Sequence, residues 1–195
     1  MKLCRIGELG KEKPAIIDKD GSYKDLSGEI SDLDPKNLNF ETIEKISKLK
    51  IKDLPTLDAD SRIGACVKNP SKFLGIGLNY KDHALEQNLP IPKEPIIFSK
   101  FTNCIIGPND NIEIPKNSNH TDWEVEIGFV IGKKAKYVEE KKGLDHVLGF
   151  FLVTDVSERE FQKNKGLTWD KGKGFDTFGP IGPYILTKEE VKDYN

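Results

Sequence analysis

The chain has 195 residues, 30 basic and 32 acidic, for a formal net charge of -2. With a pI of about 6.0 there is no overall field to hold a polyanion, which excludes a dedicated nucleic-acid binder. No apolar run approaches the ~20 residues a membrane span needs, and Met1-Lys2-Leu3-Cys4-Arg5 opens no signal-peptide pattern. The expected setting is cytoplasmic, with no membrane partner. Cys4, Cys66 and Cys104 are odd in number and widely spaced, and read as thiols in a reducing compartment.

Residues 1–66 read as a small leading α/β unit and residues 67–195 as a second domain. Lys2 to Ile6 and Pro14 to Asp18 read as strands, with turn chemistry over Asp18-Lys19-Asp20-Gly21. Phe40, Ile43, Ile46 and Leu49 recur at three-residue steps and predict one helical face. Lys52 to Asp60 reads as a connector. Phe73 to Ile76 is apolar and predicts a buried strand, followed by a short helix over Asn79 to Asn88. Ile96 to Phe98, Ile112 to Ile114, Trp123 to Ile131, Leu148 to Val153 and Tyr184 to Leu186 are further strands, with Gly and Pro between them. Thr187 and Glu190 have capping-box spacing and predict a helix start. The fold class is α+β and mostly β, with a mixed, largely antiparallel core.

Alternation along Trp123 to Ile131 puts Glu124 and Glu126 on one face of a strand that reads as central. Adjacent carboxylates repel unless a cation or solvent screens them. They suggest an oxygen-donor site for Mg²⁺ or Mn²⁺, or else an exposed strand end with solvated glutamates. Asp155 ends the apolar strand Gly149 to Thr154 and can complete a three-carboxylate set. It also reads, with Ser157, as an N-cap for a short helix over Glu158 to Gln162. His83 and Glu86 share a helical face; such a pair can activate water, or be an exposed pair with no role. Lys163, Lys165, Lys171 and Lys173 lie among Gly166, Gly172 and Gly174, a stretch able to neutralise an oxyanion or to be a solvated loop. Gly75-Ile76-Gly77-Leu78-Asn79-Tyr80 lacks the third glycine of a dinucleotide loop, and Gly166 to Lys173 lacks the metal-binding Ser/Thr of a phosphate loop.

An ordered set of these stretches resembles the fumarylacetoacetate hydrolase family. The set is Gly77-Leu78-Asn79-Tyr80-Lys81-Asp82-His83-Ala84, Phe98-Ser99-Lys100, and Asp122-Trp123-Glu124-Val125-Glu126-Ile127-Gly128 with Val130-Ile131-Gly132-Lys133. It continues through Asp155-Val156-Ser157-Glu158-Arg159 with Gln162, then Trp169 with Gly172 to Phe178, Pro180 and Gly182-Pro183. The resemblance covers about residues 67–187 and implies a mixed β-sandwich roll and a homodimer. It implies Mg²⁺ or Mn²⁺, with Ca²⁺ a substitute in crystals, held by Glu124, Glu126 and Asp155. It further implies His83 and Glu86 activating water, Lys173 as the active-site lysine, and Arg159 and Gln162 contacting substrate. The implied substrate is a small 2-keto or 2,4-diketo acid of acylpyruvate type. The implied reaction hydrolyses a carbon–carbon bond through an enolate stabilised at the metal. The same site chemistry serves decarboxylation of oxaloacetate, keto–enol tautomerisation or dehydration of 2-keto sugar acids. A non-catalytic binding module is the alternative of another class.

Family catalytic domains continue further, through a Gly-Thr-Pro loop that has no counterpart in this sequence. The chain therefore reads as C-terminally truncated, with the catalytic domain incomplete and sheet edges left unpaired.

Overall fold

The structure is a computed structural model that describes residues 1–166 and 168–193. In chain order the strands are β1 (Lys2–Ile6), β2 (Lys13–Ile17), β3 (Tyr23–Asp25), β4 (Leu74–Gly77), β5 (Ile96–Ser99) and β6 (Ile105–Ile106). They continue as β7 (Thr121–Asp122), β8 (Val125–Ile131), β9 (Val147–Thr154), β10 (Ser157–Glu158) and β11 (Gly179–Thr187). The α-helices are short: α1 (Phe40–Ser47), α2 (Lys81–Glu86), α3 (Arg159–Lys163) and α4 (Asp170–Lys173). The architecture is α+β and mostly sheet, as expected.

One seven-stranded sheet organises the molecule in the order β3-β2-β1-β11-β9-β8, with β6 beside β11. All its pairings are antiparallel except β6–β11. β2 turns back into β3 through the predicted turn: Gly21 N–H bonds the Asp18 carbonyl at 3.0 Å, at a φ of +87° that glycine tolerates. Helix α1 is capped by Asn39, whose side chain accepts from the Thr42 N–H at 2.9 Å, and it buries Ile43 and Ile46. These two side chains join Leu3, Ile16, Leu26, Leu148, Val153, Ile181 and Ile185 in one apolar cluster. Each such burial contributes about 1.5–3 kcal/mol. Sheet and cluster thus run across residue 67, drawing on both the leading residues and the rest.

Four expectations need correction. Strand β8 is an edge of the sheet, not a central strand. Its apolar side chains Val125, Ile127, Phe129 and Ile131 are all exposed, and its acidic face is the inner one. Among the described residues strand β4 pairs with β5 alone, and it is not buried; Leu74 and Ile76 face solvent. Its packed face is the glycine face, where the rings of Phe98 and Trp169 leave no room for a Cβ at Gly75 or Gly77. Ile112 to Ile114 forms no strand; it stops at Pro115, and the Glu113 N–H bonds the Thr177 hydroxyl instead of a ladder partner. Thr187 and Glu190 build no capping box. Both hold the Met1 amino group, at 2.7 and 3.1 Å, and the following turn is a single 3-10 turn, Lys188–Glu190. Residues 194–195, into which a longer helix would run, lie outside the described residues.

Candidate active site

The site forms where β8 begins and β9 ends, beside the small β7–β10 ladder. Val125 stands opposite Thr154, and the Asp155 N–H bonds the Glu124 carbonyl at 2.8 Å. That register makes Glu124 and Asp155 cross-strand neighbours on one face, and strand alternation adds Glu126 to it. The alternation is visible in exposure: residues 124 and 126 are half-buried and residues 123, 125 and 127 exposed. The carboxylates therefore line the inner side of the sheet rather than a solvated strand end.

Three cations enter this acid cluster from other elements. Lys173, at the end of α4, donates from Nζ to Glu124 Oε2 at 2.8 Å and Asp155 Oδ2 at 2.7 Å. Lys100, which follows β5, donates to Asp155 Oδ1 at 2.7 Å. Arg159 opens α3 and bonds Asp122 Oδ2 from Nε at 2.9 Å and from Nη2 at 2.7 Å. Its Nη2 also lies 2.6 Å from Glu124 Oε1. Gln162 accepts from Arg159 Nη1 at 3.1 Å. Expected substrate residues Arg159 and Gln162 are thus linked to the acid cluster through the guanidinium.

Helix α3 is capped by Glu158, not by Asp155 or Ser157. The Glu158 carboxylate is fully buried and accepts from the Phe161 N–H at 2.7 Å, the His120 N–H at 3.1 Å and the Ser118 hydroxyl at 3.2 Å. Burial pushes its pKa up, but these donors win and hold it below the usual carboxylate range. Asp155 is left free for the lysines. Burial raises its pKa, yet Lys100 and Lys173 together hold it low. Glu126 goes the other way: burial, then the charges of Glu124 and Asp155, raise its pKa against a 3.2 Å bond from Asn79 Nδ2.

His83 and Glu86 stand together on α2, Nδ1 to Oε2 at 3.5 Å, and His83 Nε2 lies 2.9 Å from Gln87 Nε2. Among the described residues no hydrogen bond or ion pair joins this pair to the carboxylates. Asn79, four residues before His83, reaches Glu126. Lys163, Lys165 and Lys171 stay outside the cluster: Lys165 pairs with Glu160, and Lys171 donates to the Lys165 carbonyl. The charged partners Lys100 and Asp122 carried no reading from the sequence, although both lie within stretches that carry the resemblance.

Among the described residues, no group of three His, Cys, Asp or Glu side chains stands at coordinating geometry. The donor chemistry nevertheless fits a hard divalent ion, because all three expected ligands offer carboxylate oxygen on one face. A stand-in cation, the Lys173 ammonium, already sits between two of them. Glu126, whose hydrogen-bond partner there is an amide, adds a third carboxylate to the same face.

The fold is that of a group of solved hydrolases and isomerases. The chain belongs to the fumarylacetoacetate (FAA) hydrolase C-terminal family, which matches residues 72–195. A protein of Burkholderia lata, provisionally named a hydrolase, is 53% identical over 193 residues, covering 99% of this chain and 68% of the relative. The fumarylacetoacetate hydrolase of Exiguobacterium antarcticum superposes with a TM-score of 0.82 at 26% identity, covering 98% of this chain and 68% of that one. A maleylpyruvate hydrolase of Sphingobium sp. SYK-6, solved with manganese(II) and pyruvate, shares the fold with a TM-score of 0.78 at 21% identity; coverage is 99% and 69%. A 5-carboxymethyl-2-hydroxymuconate delta-isomerase of Mycobacterium smegmatis gives 0.71 at 29% identity, with coverage of 96% and 67%.

Proposed function

We propose that this chain carries the site of a Mg²⁺- or Mn²⁺-dependent hydrolase that cleaves a carbon–carbon bond in 2,4-diketo acids of acylpyruvate type. The observation that supports it most is the Lys173 ammonium held between Glu124 and Asp155, with Glu126 adding negative charge on the same face. Glu124, Glu126 and Asp155 would hold the ion. When bound, it would supply Lewis-acid polarisation of neighbouring carboxylate and keto oxygens.

The chain's own residues supply the rest. His83 is the general base: its Nδ1 faces Glu86 at 3.5 Å, which orients the ring, and its Nε2 would take a proton from water. The Gln87 amide beside Nε2 must give way for that transfer. Lys173 offers positive charge to the oxygen that becomes negative as the bond breaks. Arg159, with Gln162 at its flank, is placed to meet a substrate carboxylate, since a guanidinium matches that group in two-point fashion.

A second reading, isomerisation of a related keto acid, is favoured by the delta-isomerase among the similar structures. Acetylpyruvate incubated with the chain and Mn²⁺ tests the proposal. Release of pyruvate, lost in Glu124→Ala, supports hydrolysis. Double-bond migration without cleavage in a muconate-type keto acid supports the second reading. Carbon dioxide from oxaloacetate indicates a decarboxylase, and Mn²⁺ binding with no turnover indicates a binding module.

A further inference from the structure

We propose that Lys100 is a positioning residue that fixes which oxygen of Asp155 faces the cation position; the inference rests on the metal-dependent reading above. Lys100 is only 2% exposed and its side chain reaches the acid cluster from the end of β5. Its Nζ meets three oxygens: Asp155 Oδ1 at 2.7 Å, the Val156 carbonyl at 3.3 Å and the Lys173 carbonyl at 2.5 Å. An ammonium has three N–H donors, so all of them are used.

This saturation separates Lys100 from Lys173. Among the described residues the Lys173 ammonium hydrogen-bonds side-chain carboxylates alone, those of Glu124 and Asp155, and it lies 5.1 Å from the Phe98 ring centroid. The Lys100 ammonium is tied to main chain on two sides, at the residue after Asp155 and at Lys173 itself. Lys100 is thus not placed to follow a substrate. It pins Oδ1, which leaves Oδ2 as the oxygen on the side of Glu124, where Lys173 bridges the two carboxylates. It also ties the backbone of Lys173 to the backbone of Val156, the residue that follows a metal-ligand candidate. Partners that orient a ligand in this way are worth 10–100-fold in metal affinity.

The test uses the full chain and Mn²⁺ alone as probe, with affinity read by electron paramagnetic resonance and folding by circular dichroism. Wild type should bind Mn²⁺ and Glu124→Gln should not. Lys100→Met, folded, should bind about 10–100-fold more weakly. Lys100→Gln, which keeps an N–H donor, should fall between the two. If Lys100→Met does not fold, Lys100→Gln is judged against wild type by the same affinity. A purely structural role would lower the melting temperature and leave Mn²⁺ affinity unchanged, which overturns the proposal. Wild type without Mn²⁺ affinity, or Glu124→Gln with full affinity, overturns the metal reading itself and the Lys100 proposal with it.

Discussion

Asp155 accepts one lysine on each oxygen, and both ammonium groups are buried with it. Removing the carboxylate that Lys100 pairs with leaves that ammonium buried without its counter-charge, which is costly. Asp155→Ala should therefore lose about 3–5 kcal/mol in urea unfolding. Glu126 behaves oppositely. Its pKa is raised in the fold, so the folded state binds the proton more tightly and the group's contribution declines as pH rises above its ordinary value of 4.5. At pH 7 Glu126→Gln should leave the urea midpoint equal or higher while weakening Mn²⁺ binding. A lower midpoint would mean that the Asn79 bond outweighs the repulsion. The thiols are a third case: burial pushes Cys4 up to about 12 and Cys104 up to about 11, and raises Cys66 as well. With so little thiolate, the native chain should not react with a disulfide reagent at pH 8, and three thiols should react in denaturant. Period-two alternation made Glu124 and Glu126 legible as a pair. No spacing rule links Lys100 to Asp155 across 55 positions, or Asp122 to Arg159 across 37, so those partners needed the fold.

Among the elements, strands were read best where alternation or an apolar run was long, as in β8 and β9. What the sequence did not reveal was which side of β8 is covered. Its alternation is strict, but Glu124 and Glu126 turn inward, to Lys173 and Asn79, while Val125, Ile127, Phe129 and Ile131 remain outside. Polarity alone suggests the reverse. Cap assignments failed for a related reason: Ser, Thr and Asp were given the caps by type, whereas tertiary contacts had taken them. Asp155 serves lysines, Thr187 serves the amino terminus, and Glu158 caps α3. The packing of α4 against α3 depends on Gly172. A Cβ there would lie 2.5 Å from both the Gln162 nitrogen and the Glu158 carbonyl oxygen, which are backbone atoms that cannot swing away. Gly172→Ala should cost about 1–3 kcal/mol in urea unfolding through overpacking. Because Lys173 is the next residue, Mn²⁺ affinity should change in the same variant. A neutral effect on both would show that α4 can slide on α3 without cost.

At the scale of the whole molecule, one ionic network fastens the leading residues to the rest. Arg5 bonds Asp32 at 2.7 Å and Glu12 at 3.1 Å; Arg62 bonds Glu12 at 2.8 Å and also grips Asp110; Lys68 reaches Asp32 at 2.8 Å. The side chains of Arg5, Glu12 and Asp32 are each 5% exposed, so solvent screens little of this. Burial pushes Glu12 and Asp32 up, but the guanidinium bonds and charges prevail and hold both below their ordinary values. Asp110 is held low chiefly by Arg62. A carboxylate whose folded pKa is depressed contributes stability above its unfolded value and loses it as pH falls through the folded one. The ordinary values are 4.5 for Glu and 3.8 for Asp, so the urea midpoint should hold level from pH 7 to about 5 and fall steeply below. Arg5→Met removes the central guanidinium and leaves Glu12 and Asp32 buried with fewer partners. It should cost about 3–5 kcal/mol at pH 7, and the gap to wild type should shrink by pH 3, where protonated carboxyls no longer need the charge. A gap that stays constant across that range would assign the loss of Arg5 to packing of its stem rather than to its pairing with Glu12 and Asp32.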